Sequence, residues 1–171
     1  AMMNMVMTAT PIAMVGCGFT LTESTLGIQR HMLAMYLSSF YTGNLISRFG
    51  KTAMMLLGLS MLIVTGMINL YDVKLMNFWG ALILLGLGWN FAFIAATAMV
   101  TDCHTPAERA KVQGFTDFSI FGATTVASFM AGYLYETLGW SAVNWSLIPI
   151  VLAAMLAVAV LALRQRTPRT T

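Results

Sequence analysis

Residues 42–52 read TGNLISRFGKT, a short basic corner between two long apolar runs. The corner stands out because charge is scarce: 58% of the 171 residues are hydrophobic and 9% are charged. Soluble domains carry roughly 25% charged residues, so this chain has too little charge to solvate a globular surface. The composition predicts an integral membrane protein. The net charge of +3 comes without a basic stripe interleaved with aromatics, which argues against a nucleic-acid partner.

Six apolar runs approach the length of about 20 residues that a membrane helix needs. They lie at about 2–19, 21–47, 52–70, 77–100, 112–136 and 140–163. Each run is far longer than the roughly 10 alternating residues of a membrane barrel strand. Helices are then the structure that satisfies backbone polar groups in lipid. The sequence predicts an all-α bundle of six transmembrane helices in a lipid bilayer, forming a single domain over residues 1–171.

Local signals mark the ends of the second run. Thr20 and Glu23 have the S/T-x-x-E spacing of a capping box, which predicts a helix start. Gly50 allows a tight turn, and Gly43 would let the second helix pack closely. The basic corner is therefore predicted to be the turn between the second and third helices.

The basic residues are distributed unequally between the two sides of a six-span bundle. One side receives seven: Arg48, Lys51, Arg109, Lys111, Arg164, Arg166 and Arg169. The other side receives Lys74, and Arg30 if that helix end is counted with its loop. Because basic loops favour the cytoplasm, both termini, the 47–52 corner and the 101–111 loop are expected on the cytoplasmic side. The chain opens in apolar sequence at Ala1 without the basic region of a signal peptide, and we interpret this as a truncated front end.

Two loop stretches resemble signatures of the major facilitator superfamily. The corner is similar to the signature G-x-L-x-D-R-x-G-R, with Gly43, Leu45, Arg48 and Gly50 in place, Lys51 keeping the final charge and Ser47 standing where the signature has an acid. The stretch PAERAKVQG is similar to the P-E-R-[GA]-[KR]-x-x-G pattern that often precedes the fifth helix of a half. It is matched from Glu108 and Arg109 to Gly114, with Ala107 inserted.

The resemblance implies a secondary transporter of a small-molecule substrate that works by alternating access in the bacterial inner membrane. This chain would be the C-terminal six-helix half, and the missing N-terminal half would be its partner. The family's cytoplasmic charge network would pair Arg48 with Asp117, Asp102 or Glu108. The simpler alternative is that Arg48 and Lys51 only mark the cytoplasmic face.

Polar residues inside the spans are candidates for a substrate path, because such groups usually face a cavity or a partner. On the fifth span Gln113, Asp117, Thr124 and Ser128 fall on one helical face. Asp117 is either a gate ion pair or proton-responsive group, or an acid solvated at the headgroups and favoured by the helix dipole.

Two other spans offer further candidates. On the fourth span, Asn90 and Thr97 share a face, and Asn90 would contact substrate or bond a neighbouring helix. Trp89 beside it is interpreted as a packing or lipid-facing residue. On the second span, His31 would couple protons, or it packs behind an Arg30 that reaches the outer headgroups.

The sequence gives no support for an enzyme. It has no nucleophile–base pair, phosphate loop or zinc spacing, and the fifteen methionines lack His or Cys clusters, so no metal or other cofactor is predicted. Two other readings remain open: a non-transporting membrane scaffold or assembly protein, and a half-size transporter that dimerises. The substrate, the coupling ion and the direction of transport are left unspecified.

Overall fold

Every secondary-structure element is a helix in the computed structural model, which describes residues 1–166 and the side chains through Arg164. In chain order the helices are α1 (Met2–Gly16), α2 (Leu21–Phe49), α3 (Lys51–Tyr71), α4 (Leu75–Thr101) and α5 (Arg109–Arg166). The all-α prediction is confirmed. Arg169, which was counted in the basic tail, lies outside the described residues.

The fifth helix is two helices joined at a glycine. α5 has 58 residues, and at Gly139 the backbone leaves helical geometry with φ 79° and ψ −178°. A φ of this sign is readily adopted only by glycine. The break falls between the predicted fifth and sixth runs. We call residues 109–138 the first arm of α5 and residues 140–166 its second arm.

The number of candidate membrane spans differs from the prediction. Three stretches of the described residues are long and apolar enough to cross a membrane: Lys51–Tyr71, Leu75–Thr101 and Arg109–Arg164. The last of these contains the break at Gly139, so it joins two predicted spans in one. Met2–Gly16 is apolar but shorter, and α2 is long but carries many polar side chains. Length and hydropathy therefore support three spans where the sequence pattern indicated six.

The two junctions around α2 behave largely as predicted. The Glu23 backbone N–H donates to the Thr20 hydroxyl at 3.2 Å, and the Thr20 backbone N–H donates to the Glu23 carboxylate at 2.8 Å, which completes the capping box. Gly50 has φ 87° and joins α2 directly to α3. The expectation for Gly43 is wrong, because a Cβ there would meet nothing within 4 Å.

Other glycines provide the close contacts around α4. A Cβ on Gly86 would lie 2.6 Å from the carbonyl oxygen of His31 in α2, and a Cβ on Gly58 in α3 would lie 2.5 Å from the carbonyl oxygen of Gly88. At these distances backbone meets backbone, as small residues permit in helix contacts. α4 is thus held tightly between α2 and α3.

α1 and α3 pack against α5 and complete the bundle. Met5 and Ala9 of α1 pack against Ala127 and Ala131 of the first arm of α5. α3 packs with the second arm around Leu59, Leu62, Leu147 and Val151, and there the Asn69 side-chain amide donates to the Asn144 side-chain oxygen at 3.0 Å. This arrangement leaves space between α4 and the first arm of α5.

Candidate functional site: a polar groove between α4 and α5

The first part of this space is a cleft between the C-terminal half of α4 and the start of α5. It encloses about 260 Å³, and its lining includes Thr97 from α4 with Gln113 and Asp117 from α5. The Gln113 side-chain amide donates to the Asp117 carboxylate at 3.1 Å. Three of the predicted path residues therefore line one cleft. Asp117 is partly exposed.

A second cleft continues the first along α5. It encloses about 380 Å³ and is lined by α1, α4 and α5, including Thr124, Asn4 and Trp89. The two clefts share Phe93, Thr116 and Ile120, so they adjoin along α5, and we call the two together the α4–α5 groove. The groove brings a fourth predicted residue, Thr124, onto the same path.

Ser128 lies where α1 reaches across to α5. Its hydroxyl accepts a hydrogen bond from the side-chain amide of Asn4 and donates to the carbonyl oxygen of Thr124 at 3.2 Å. The Ser128 hydroxyl therefore links α1 to α5 beside the groove. Asn4 was not predicted, although it is the one amide in the opening apolar run MMNMVM.

Asn90 lies outside the groove, in the contact between α2 and α4. It is 3% exposed, and its side-chain oxygen accepts a hydrogen bond from the Thr42 hydroxyl at 2.7 Å. Its amide donates to the Met35 carbonyl at 3.0 Å and to the Ser39 hydroxyl at 2.6 Å. Of the two roles considered for Asn90, this geometry favours the bond to a neighbouring helix. Contact with substrate stays a prediction.

His31 is buried in the same contact. Its ring Nδ1 lies 2.9 Å from the Leu82 carbonyl oxygen, and since a carbonyl can only accept, Nδ1 is assigned the proton. The guanidinium of the neighbouring Arg30 lies over the Trp79 ring, 3.6 Å from its centroid. Arg30 is thus stacked in the α2–α4 contact with His31 behind it, and a coupling role for His31 stays a prediction.

The basic corner makes one cross-helix ion pair. Lys51, at the start of α3, pairs with Asp102 just after α4 and donates to the Ala98 carbonyl at 3.2 Å. The two side chains are 34% and 63% exposed. Lys51, the last residue of the loop signature, therefore holds the start of α3 against the end of α4.

The predicted partners of Arg48 are engaged elsewhere. Within residues 1–164 its guanidinium forms no ion pair and lies 5.5 Å from the centroid of the Phe49 ring. Asp102 pairs with Lys51, Asp117 accepts from Gln113, and Glu108 accepts from Thr105. The expected Arg48–acid pair is therefore wrong for this conformation. The hydroxyl of Ser47, where the signature has an acid, bonds within its own helix.

Glu108 and Arg109 stand at the start of α5. The Glu108 carboxylate accepts hydrogen bonds from the Thr105 hydroxyl at 2.8 Å and from the Thr105 backbone N–H at 3.2 Å. These two bonds, the hydroxyl first, hold the pKa of Glu108 below its usual value because they favour the charged carboxylate. The bonds between Thr105 and Glu108 thus fix the turn that leads into α5.

Sequence reasoning also missed the aromatic wall of the groove. Trp89 and Phe93 both line it, although Trp89 had been interpreted as a packing or lipid-facing residue. The available signal was the spacing of Trp89, Phe93 and Thr97 at four-residue intervals, which places consecutive members on neighbouring positions of one helix surface.

Comparisons with known proteins agree on one family. The family model described as Major Facilitator Superfamily matches residues 1–171. The riboflavin transporter RfnT of Brucella anthropi is 56% identical over 151 residues, which are 88% of this chain and 38% of that protein. Two uncharacterized MFS-type transporters of Bacillus subtilis are also similar: YdeG is 37% identical and YddS 32% identical, each over 88% of this chain and 35% and 36% of their own lengths.

The chain therefore spans a little over a third of the length of the curated relatives it matches. No solved structure matches it.

Proposed function

This chain belongs to the major facilitator superfamily, and from that premise we propose that it forms one half of a secondary transporter for a small solute. The complete protein would work by alternating access, with two six-helix halves rocking about a site near the middle of the membrane. This chain would be the C-terminal half. The α4–α5 groove would be its share of the substrate path.

The observation that carries the proposal is the convergence of polar side chains from two helices on one open groove. Thr97, Gln113, Asp117 and Thr124 line it from two helices. The outward side of the first arm of α5 instead carries Phe115, Phe118 and Phe129, all at least 70% exposed. A helix with one polar, cavity-facing side and one apolar side suits a path wall, with the bilayer or the other half covering the apolar side.

Six crossings are part of the proposal. A straight helix of the length of α5, 58 residues, would extend roughly 87 Å at about 1.5 Å per residue. This is about twice a whole bilayer of roughly 40–45 Å, so we assign the two arms on either side of Gly139 to two separate crossings. α1 and α2 supply the first two crossings. The basic corner at Lys51 and the 101–111 loop then lie on the cytoplasmic side.

Riboflavin is the first substrate to test. The support is the 56% identity to a protein named as a riboflavin transporter. The groove also offers neutral hydrogen-bonding groups beside aromatic rings, which suits a neutral molecule with a flat ring and a polyhydroxyl chain. If transport is coupled to protons, we assign the responsive group to Asp117, since it is the carboxylate that lines the groove.

The proposal is tested by expressing the complete protein in bacteria that can neither make nor import riboflavin. Growth on low riboflavin and uptake of radiolabelled riboflavin are measured against cells with an empty vector. We expect growth rescue and saturable uptake that unlabelled riboflavin competes away. A membrane-inserted protein that gives neither would contradict riboflavin as the substrate.

Asp117→Asn and Asp72→Asn make a matched pair for the role of the groove. Asp72 lies at the end of α3, where its carboxylate pairs with Lys74 at 2.7 Å, and it lines neither part of the groove. We expect Asp117→Asn to lower uptake by roughly tenfold or more, because a hydrogen bond to a charged group contributes about 1.5–3 kcal/mol. Asp72→Asn should leave it unchanged. Equal uptake by the two variants would remove Asp117 from the path.

A further inference from the structure

Trp89 and Phe93 form an aromatic stack inside the groove. They lie one turn apart on α4, and their rings are stacked with centroids 4.6 Å apart and planes inclined by 12°. Both rings line the larger cleft, and Phe93 also lines the smaller one. The stack therefore stands at the point where the two clefts meet.

This pair differs from the aromatic packing in the core of the bundle. Phe78 is buried and meets Phe19 edge-on at 79° and Trp140 at a tilt of 51°. Such inclined contacts are usual for rings that fill a core. Phe93, by contrast, is 37% exposed and stacked nearly parallel on its neighbour. Part of its ring is thus left uncovered beside a groove.

Two groups beside this stack can still form hydrogen bonds. The indole N–H groups of Trp79 and Trp140 donate to backbone carbonyls of Glu23 and Asn69, whereas that of Trp89 has no acceptor within residues 1–164. Across the cleft, Asn4 uses its amide N–H on Ser128, so its side-chain oxygen is available as an acceptor.

The larger cleft, at about 380 Å³, is within the range of roughly 300–1,000 Å³ typical of small-molecule sites.

We propose that the uncovered face of Phe93, with Trp89 stacked behind it, is the platform on which the flat heteroaromatic ring of the transported solute rests, with the edge of that ring facing Asn4. This inference rests on the proposed transport function and deepens it. It assigns the solute a planar ring system, such as the isoalloxazine of riboflavin. It also makes Trp89 and Phe93 residues that select for ring-bearing solutes.

The test measures riboflavin binding to the purified complete protein by titration of flavin fluorescence, using only the monodisperse fraction of each variant. Phe93→Leu removes the ring and keeps an apolar side chain of similar size, and Phe93→Tyr restores a ring. Trp89→Met removes the second ring independently. Phe118→Leu is the matched control, because Phe118 is 77% exposed on α5 and lines neither cleft.

Stacking on an aromatic side chain changes affinity for flat bases by roughly tenfold or more. We therefore expect Phe93→Leu to weaken riboflavin binding by about that factor, and Trp89→Met, which removes the ring behind Phe93, to weaken it less. Phe93→Tyr and Phe118→Leu should bind as the wild type does.

The outcomes separate the platform from the transport function. If the wild type binds riboflavin and Phe93→Leu binds as tightly as Phe118→Leu, the platform is overturned and the transport proposal stands. If the wild type does not bind riboflavin, the substrate proposal fails and the platform fails with it.

Discussion

The two sides of α4 carry similar polar residues and treat them differently. Toward α2, Asn90 is buried and makes three hydrogen bonds, and Gly86 brings the two backbones into contact. Toward α5, Thr97 faces a groove, and its hydroxyl bonds only to the Phe93 carbonyl of its own helix at 2.9 Å. The side of α4 that meets α2 is closed by protein contacts, and the side that meets α5 is open.

This difference teaches how to interpret a polar residue inside a membrane helix. A buried amide without partners is costly. On the closed side Asn90 is paired with three groups of α2 and so stabilises the bundle, although the buried Arg30 Nη1 and His31 Nε2 there have no hydrogen-bond partner among the described residues. A group that bonds within its own helix keeps capacity to bind a passing solute. The two sides should therefore respond to mutation in opposite ways, through folding on one and through transport on the other.

The largest effect is expected where α2 and α4 touch. Gly86→Ala would place a Cβ 2.6 Å from the backbone oxygen of His31, and backbone cannot move aside cheaply, so we expect a loss of about 1–3 kcal/mol of stability, as for other overpacked sites. Gly80→Ala on the same helix is the control, because a Cβ there meets nothing within 4 Å. Thermal unfolding in detergent measures both. Equal melting temperatures would mean that α2 and α4 are not in contact.

Asn90→Leu should also act through stability. It removes three hydrogen bonds between α2 and α4, and interhelical bonds in membrane proteins average about 0.6 kcal/mol each, so a loss of roughly 1–2 kcal/mol is expected. Asn44→Leu, at an exposed site on α2, should change little. The folded fraction of Asn90→Leu should bind riboflavin with the affinity of the wild type. A large loss of affinity would instead indicate that Asn90 contacts the substrate.

Thr42→Val and Thr97→Val compare the two sides with the same substitution. Thr42 is fully buried and donates to Asn90, so its loss should lower the melting temperature and spare the uptake rate per folded molecule. Thr97→Val should lower uptake by roughly 2–10-fold, the value of one hydrogen bond to a solute, without changing the melting temperature. If both variants show the same pattern, the two sides of α4 do not differ in function.

The smallest effect is expected at the cytoplasmic end of α4. Lys51 and Asp102 are partly exposed, and such ion pairs contribute about 0–1 kcal/mol, so Lys51→Met should lower stability by less than about 1 kcal/mol. Arg48→Met, which removes no ion pair within the described residues, is the control and should change stability even less. The difference in stability between the two variants should shrink at high salt. A larger loss of stability in Arg48→Met than in Lys51→Met would contradict the Lys51–Asp102 ion pair.

Local features of the fold were predictable because they depend on neighbours in sequence. The capping box at Thr20 and Glu23 and the turn at Gly50 each follow from residue types within a few positions. The break at Gly139 falls in the gap between two predicted apolar runs. The number of spans could not be predicted from local signals. α2 carries many polar residues and α1 is short, so neither is a simple run of about 20 apolar residues.

The site was harder to predict because it depends on which helix lies opposite. Gln113, Asp117 and Thr124 were found because a polar stripe appears within one helix. Asn90 and Thr97 share a helical face in sequence, yet in the structure Asn90 bonds to α2 and Thr97 lines the groove. The roles of Trp89, Phe93 and Asn4 depend on tertiary neighbours that periodicity does not specify.

The most direct test of the account is the accessibility of single cysteines to a water-soluble thiol reagent in the complete protein, after Cys17 and Cys103 are replaced by serine. Thr97→Cys and Thr124→Cys probe the groove, and Thr42→Cys probes the closed side. The account predicts that the two groove cysteines react, that riboflavin slows the reaction, and that Thr42→Cys does not react. Unreactive groove cysteines, or equal reaction on both sides of α4, would contradict a water-filled substrate path between α4 and α5.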